Sequence, residues 1–222
     1  DMRTSPLISL ISNFRENKNR GFNDIGIYEI GPGFNGPKPG QQTSIAAGLR
    51  TGIYKSTGTE RHWQGNEKVD VFDVKSDVFS YFDLINIPND SYTYVIPGSD
   101  WYHPGRSANI VSGKGEILAS FGEIHPKILS NLNIPSCVGF EIYLDEMLKV
   151  IDTQNDHKEF TFYNLQAVKR DFSFDIPINI NSSILIDAIN SCNIDLIDDI
   201  KLFDQFILEN SKKSLAVEIT IQ

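Results

Sequence analysis

The apolar positions of this chain recur with two periods. Leu7, Leu10, Ile11 and Phe14 stand at i, i+3, i+4 and i+7, which predicts a helix with one apolar stripe. Ser5 and Pro6 suit its N-cap and first position, and Gly21 can take the left-handed cap that stops it. Arg15, Lys18 and Arg20 gather at its end, where cations complement the helix dipole. Ile25, Ile27 and Glu29 follow as a strand, residues 31–40 read as a Gly- and Pro-rich loop, and residues 44–51 read as a strand of small side chains. Residues 54–68 are a polar loop around Trp63. A second helix is predicted from Val71, with Val74, Val78, Phe82 and Ile85 on its stripe and Asp70 and Asp73 at its positive end.

The middle of the chain is built around His103 to Leu129, where two His-Pro pairs flank a strand–turn–strand pattern. Strands are expected over 92–96, 107–111 and 117–123, with Gly113-Lys114-Gly115 as the hairpin turn. A short helix starts on Pro126 and runs to 132. A strand over 138–144 leads into a helix over 145–150. Residues 152–159 are wholly polar and mark a boundary, so two domains are expected, 1–152 and 160–222. Beyond it Phe172, Phe174 and Ile176 alternate with polar residues, and Leu185, Ala188, Ile189 and Cys192 mark a helix capped by Asn181 or Ser182. Residues 200–208 and 215–221 complete a β-α-β-β order, which lacks one helix and one strand of a split β-α-β domain. Both ends read as cut, so a fragment of a longer α+β polypeptide is expected.

Composition narrows the functional classes. With 222 residues, 40% hydrophobic, the chain can bury a proper core, and a net charge of −9 argues against a generic nucleic-acid binder with a broad basic patch. Cys137 and Cys192 stand in apolar surroundings and read as buried free thiols. No apolar run approaches the ~20 residues of a membrane helix, and no signal peptide opens the chain. A reducing, cytoplasmic setting without a membrane partner is therefore expected.

Candidate chemistry is sparse. His62, His103, His125 and His157 include no i, i+4 pair and no neighbouring cysteine, so no metal site is expected. His103 and His125 each precede proline and are read as strand-end structure, and a Ser107–His–Asp triad lacks the Gly-x-Ser-x-Gly elbow. Arg106 suits an anion or, more plainly, a nearby carboxylate. Lys169, Arg170, Lys212 and Lys213 can touch RNA phosphates or stand as solvated surface pairs. Spacing and composition yield no enzyme.

Several phrases in series resemble one family: Arg3-Thr4-Ser5-Pro6-Leu7, Tyr28-Glu29-Ile30-Gly31, His103-Pro104-Gly105-Arg106-Ser107-Ala108, Gly122-Glu123-Ile124-His125-Pro126, Val168-Lys169-Arg170-Asp171, Leu202-Phe203-Asp204 and Lys212-Lys213-Ser214-Leu215-Ala216. In this order they are similar to the C-terminal part of the beta subunit of bacterial phenylalanine–tRNA ligase. The resemblance implies an (αβ)2 enzyme whose alpha subunit uses ATP and Mg2+ to charge tRNA(Phe). The region present here would hold a non-catalytic class II synthetase-like domain on an antiparallel sheet and a truncated ferredoxin-like anticodon-binding module. It places Glu29 and Met147 where ATP-binding arginines stand in active relatives, so no catalytic residue and no cofactor is expected in this region. It puts the first helix, with Leu7, Leu10, Ile11 and Phe14, at a subunit interface; a helix packed only on its own sheet is the plainer alternative. It carries anticodon binding to Asp204 and Phe206, against the alternative that Phe206 is core. Without its partner the fragment can pair with itself. A stand-alone interaction or ligand-sensing module and a hydrolase using His103 or His125 remain the rival readings.

Overall fold

The computed structural model describes residues 2–53, 68–88, 91–151, 166–192, 196–209 and 211–221. Residues 54–67 of the polar loop around Trp63 and the polar boundary at 152–159 lie outside the described residues. The fold is α+β, and the chain divides into two compact units, Asp1–His157 and Lys158–Gln222.

The first unit is a six-stranded sheet in the order β1-β2-β6-β5-β4-β3, with every pair antiparallel. Its strands are β1 (Ile25–Phe34), β2 (Gln42–Thr51), β3 (Tyr92–Val95), β4 (Tyr102–Ser112), β5 (Ile117–Ile124) and β6 (Val138–Tyr143). Helices α1 (Leu7–Asn19) and α3 (Pro126–Leu132) cover one face, while α2 (Val71–Leu84) and α4 (Leu144–Ile151) cover the other. Alternation along the strands sends Ile45, Ala47 and Leu49 to α1 and leaves Ala46, Val138 and Ile142 for α2 and α4. Asp70 and Asp73 form a capping box at the start of α2, each carboxylate accepting a backbone N–H at 2.7 Å.

Several boundaries differ from the sequence reading. Gly31, Pro32 and Gly33 belong to β1 rather than to a loop. β1 is an edge strand, where a proline without an N–H is tolerated. The glycines make room for the N-terminal segment: a Cβ on Gly33 would stand 2.3 Å from the Thr4 carbonyl, and Phe34 N–H donates to the Arg3 carbonyl at 2.9 Å. β4 begins at Tyr102, so the His103-Pro104 phrase is strand, with a register irregularity before Ser107. Gly48 lies beneath the Phe140 ring, which a Cβ would approach to 2.3 Å. Gly48→Ala is therefore expected to cost about 1–3 kcal/mol by overpacking, read as a lower urea midpoint at unchanged slope.

The second unit contains β7 (Val168–Pro177), α5 (Ser182–Asn190), β8 (Ile197–Leu208) and β9 (Lys212–Ile221). Its sheet order is β7-β9-β8, with β9 antiparallel to both neighbours, which is a split β-α-β arrangement. Val217, Ile219, Leu202, Ile200 and Phe174 face α5 through Ile189 and Leu185. Cys137 is buried, and burial pushes its thiol up to about 12. Cys192 is exposed rather than buried, because it lies beyond the last turn of α5 and only reaches back to the Ala188 carbonyl at 3.3 Å.

Candidate functional site

The His-Pro region is architecture. His103 Nδ1 accepts the Gly105 N–H at 3.0 Å, and His125 Nδ1 accepts the Lys127 N–H at 3.1 Å as the N-cap of α3. The Ser107 hydroxyl donates to the His103 carbonyl at 2.7 Å rather than to an imidazole. Arg106 pairs with Glu123 at 3.0 Å. Among the described residues no three His, Cys, Asp or Glu side chains come together as a metal site would require.

The first candidate surface lies along α1. Leu7, Leu10, Ile11 and Phe14 are buried in their own unit against Ile25, Ile45, Ala47 and Leu49. The stripe packs on its own sheet, the plainer of the two alternatives, and Leu7 and Ile11 also border the groove beside it; an i, i+3, i+4, i+7 pattern records that a helix buries a face, not what it buries it against. Beside it runs a groove of about 420 Å³ between α1 and α3, lined by Leu7, Ile8, Ile11, Trp101, Ile128 and Leu132. Ile8 is 55% exposed and Trp101 38% exposed.

Beneath the groove lies a group that sequence reasoning missed. Glu141 on β6 is fully buried. It accepts hydrogen bonds from Trp101 Nε1 at 2.7 Å, from the Tyr102 hydroxyl at 3.2 Å and from the Ser5 hydroxyl. Burial raises its pKa, and the three donors pull the other way. Burial, then the neighbouring Glu141 charge, holds the Tyr102 hydroxyl neutral. Glu29, two strands away, is paired with Arg3 at 2.6 Å, and Met147 is buried in the core on the α2 face.

The second candidate surface is the face of β7-β9-β8 turned away from α5. In the register of β8 on β9, Asp204 stands opposite Ala216 and Phe206 opposite Ser214, with the bulge at Phe203 lying before both. Both therefore share one face, and Phe206 is 58% exposed, so it is not a core residue. The four cations do not converge on it. Lys169 and Lys212 share that face at opposite ends, whereas Arg170 and Lys213 have the parity of Ile219 and Leu215 on the α5 side. Lys169 is held by Glu218 at 2.8 Å.

Residues 1–144 match the family described as the phenylalanyl tRNA synthetase beta chain CLM domain. The chain belongs to this family. Over its whole length it is 37% identical to the phenylalanine–tRNA ligase beta subunit of Rhodospirillum rubrum, 36% to that of Mesorhizobium japonicum and 34% to that of Brucella abortus. It spans 28% of the length of each of these relatives. Among solved structures, a pyrrolysyl-tRNA synthetase of Desulfitobacterium hafniense superposes with a TM-score of 0.48 at 17% identity, covering 68% of this chain and 50% of that one. Among the described residues no helix is long and apolar enough to cross a membrane.

Proposed function

We propose that this region serves a phenylalanine–tRNA ligase as a non-catalytic synthetase-like platform joined to part of a ferredoxin-like anticodon-binding module. Family membership supports the enzyme system. The split β-α-β order supports the module, in which a further helix and strand would pack beside β7 and α5. In this reading the alpha subunit performs the ATP- and Mg2+-dependent charging and docks along the groove beside α1. The residues here do not fit an ATP site: Glu29 brings a negative charge already paired with Arg3, and Met147 is core. No step of the reaction is assigned to this region.

The observation that carries the RNA half of the proposal is the placement of Asp204 and Phe206 on an open sheet face, with the ring exposed. An exposed ring stacks an unpaired base, and a carboxylate beside it accepts from base-edge amino groups. In the full (αβ)2 enzyme, Phe206→Ala is expected to weaken tRNA binding by about 1–3 kcal/mol, the usual worth of one stacked base. Asp204→Ala should weaken binding and relax discrimination among anticodon variants. Nitrocellulose retention of labelled tRNA(Phe) measures both; unchanged affinity in both variants would remove the anticodon role.

A further inference from the structure

The register of the second sheet sorts its cations by what they can reach. On the open face three cross-strand rows follow one another at the β8–β9 turn end: Ser173, Ala216 and Asp204; then Asp175, Ser214 and Phe206; then Pro177, Lys212 and Leu208. Lys212 is thus one row, about 7 Å, from the Phe206 row on the same face. It forms no ion pair among the described residues, whereas the other cations are compromised. Lys169 lies opposite Thr220, six residues and about 20 Å along β9 from Ser214, and Glu218 neutralises it. Lys201 stands opposite Glu218 itself, about 13 Å from the Phe206 row. Arg170 and Lys213 are on the α5 side of the sheet, and Lys213 is buried. The open face of β7 carries Asp171 and Asp175, which repel phosphate.

We infer that Lys212 is the phosphate contact of the nucleotide whose base stacks on Phe206, and that the RNA backbone passes over the β8–β9 turn rather than across β7. This rests on the anticodon-binding reading above. The acids bear on the path: a base pointing from the turn toward β9 meets Ser214 and Asp204, and because Asp175 stands one row from Lys212 just as Phe206 does, the phosphate lies on the turn side of Lys212, away from the Asp175 row. Of the two adjacent lysines, Lys212 binds and Lys213 does not, because one residue of strand reverses the face.

The test is the salt dependence of tRNA(Phe) binding by the full-length ligase. Lys212→Ala should flatten the slope of log K against log salt by about 0.7, one single-strand phosphate contact, and Lys212→Arg should restore it. Lys213→Ala and Arg170→Ala should leave the slope unchanged, and Asp175→Asn should leave binding equal or tighter. If Phe206→Ala weakens binding while Lys212→Ala keeps the wild-type slope, the assignment of Lys212 is wrong and the anticodon reading stands. A flatter slope in Lys213→Ala or weaker binding in Asp175→Asn overturns the proposed path. If Phe206→Ala and Asp204→Ala bind as the wild type does, both readings fall together.

Discussion

Glu141→Ala is expected to destabilise the first unit by about 2–4 kcal/mol, while Glu141→Gln stays within about 1 kcal/mol of wild type. The alanine variant takes the acceptor from three donors: the buried hydroxyls of Tyr102 and Ser5, and Trp101 Nε1, which can only donate and sits on a ring partly exposed at the groove. Glutamine keeps one oxygen for Trp101 and Tyr102 and turns its amide toward the Ser5 hydroxyl. That hydroxyl already accepts the Leu7 N–H at 3.0 Å and has a second lone pair to offer. The pH dependence separates charge from shape. Burial raises the folded-state pKa of Glu141 above its unfolded value, so the folded state holds the proton more tightly. The wild type should therefore lose stability relative to Glu141→Gln as pH rises from the ordinary carboxylate range through the folded pKa, and the gap should then level off. Denaturant titrations of the three proteins at several pH values read both effects. An alanine variant as stable as glutamine would show that water or repacking replaces the carboxylate, and a gap independent of pH would show that Glu141 is not the titrating group.

What was legible in the chain follows from how local each signal is. The helices α1, α2 and α3 were readable because stripe, cap and proline all lie within a few residues of one another. The β7-α5-β8-β9 order was readable for the same reason, from alternation and one amphipathic run. The extension of β1 through Gly31-Pro32-Gly33 was hidden, since glycine and proline usually mark a loop and only the edge position and the crossing N-terminal segment make them strand. Glu141 was invisible because its donors come from residues 5, 101 and 102, brought together by the sheet alone. Its one local trace is polarity at an inward position of a short strand. The parity of Asp204 and Phe206 was legible within the strand. Their exposure was not, because alternation alone does not say which face a helix covers.

Ile8→Glu, in the full-length beta subunit, is expected to weaken association with the alpha subunit by about 2–5 kcal/mol, the cost of an unpaired charge in a desolvated apolar contact. The core stripe of α1 is spent on its own sheet, so the helix can present a partner only with its outer side. There the groove gathers Ile8, Trp101, Ile128 and Leu132 in one apolar surface. Ile8 is more than half exposed, so a glutamate there is solvated in the separate subunit and should shift its melting temperature little. Ile30→Glu is the control: Ile30 is 65% exposed but pairs with Ala46, whose side chain faces the α2 side of the sheet. The two variants thus place the same charge on opposite faces of one unit. Co-purification and size-exclusion profiles with the alpha subunit distinguish them. Assembly lost in Ile8→Glu and kept in Ile30→Glu locates the docking surface at the groove, and the reverse pattern moves it to the β1 edge. If both variants assemble as wild type, neither face of this unit carries the contact, and the apolar groove must be explained by some other occupant.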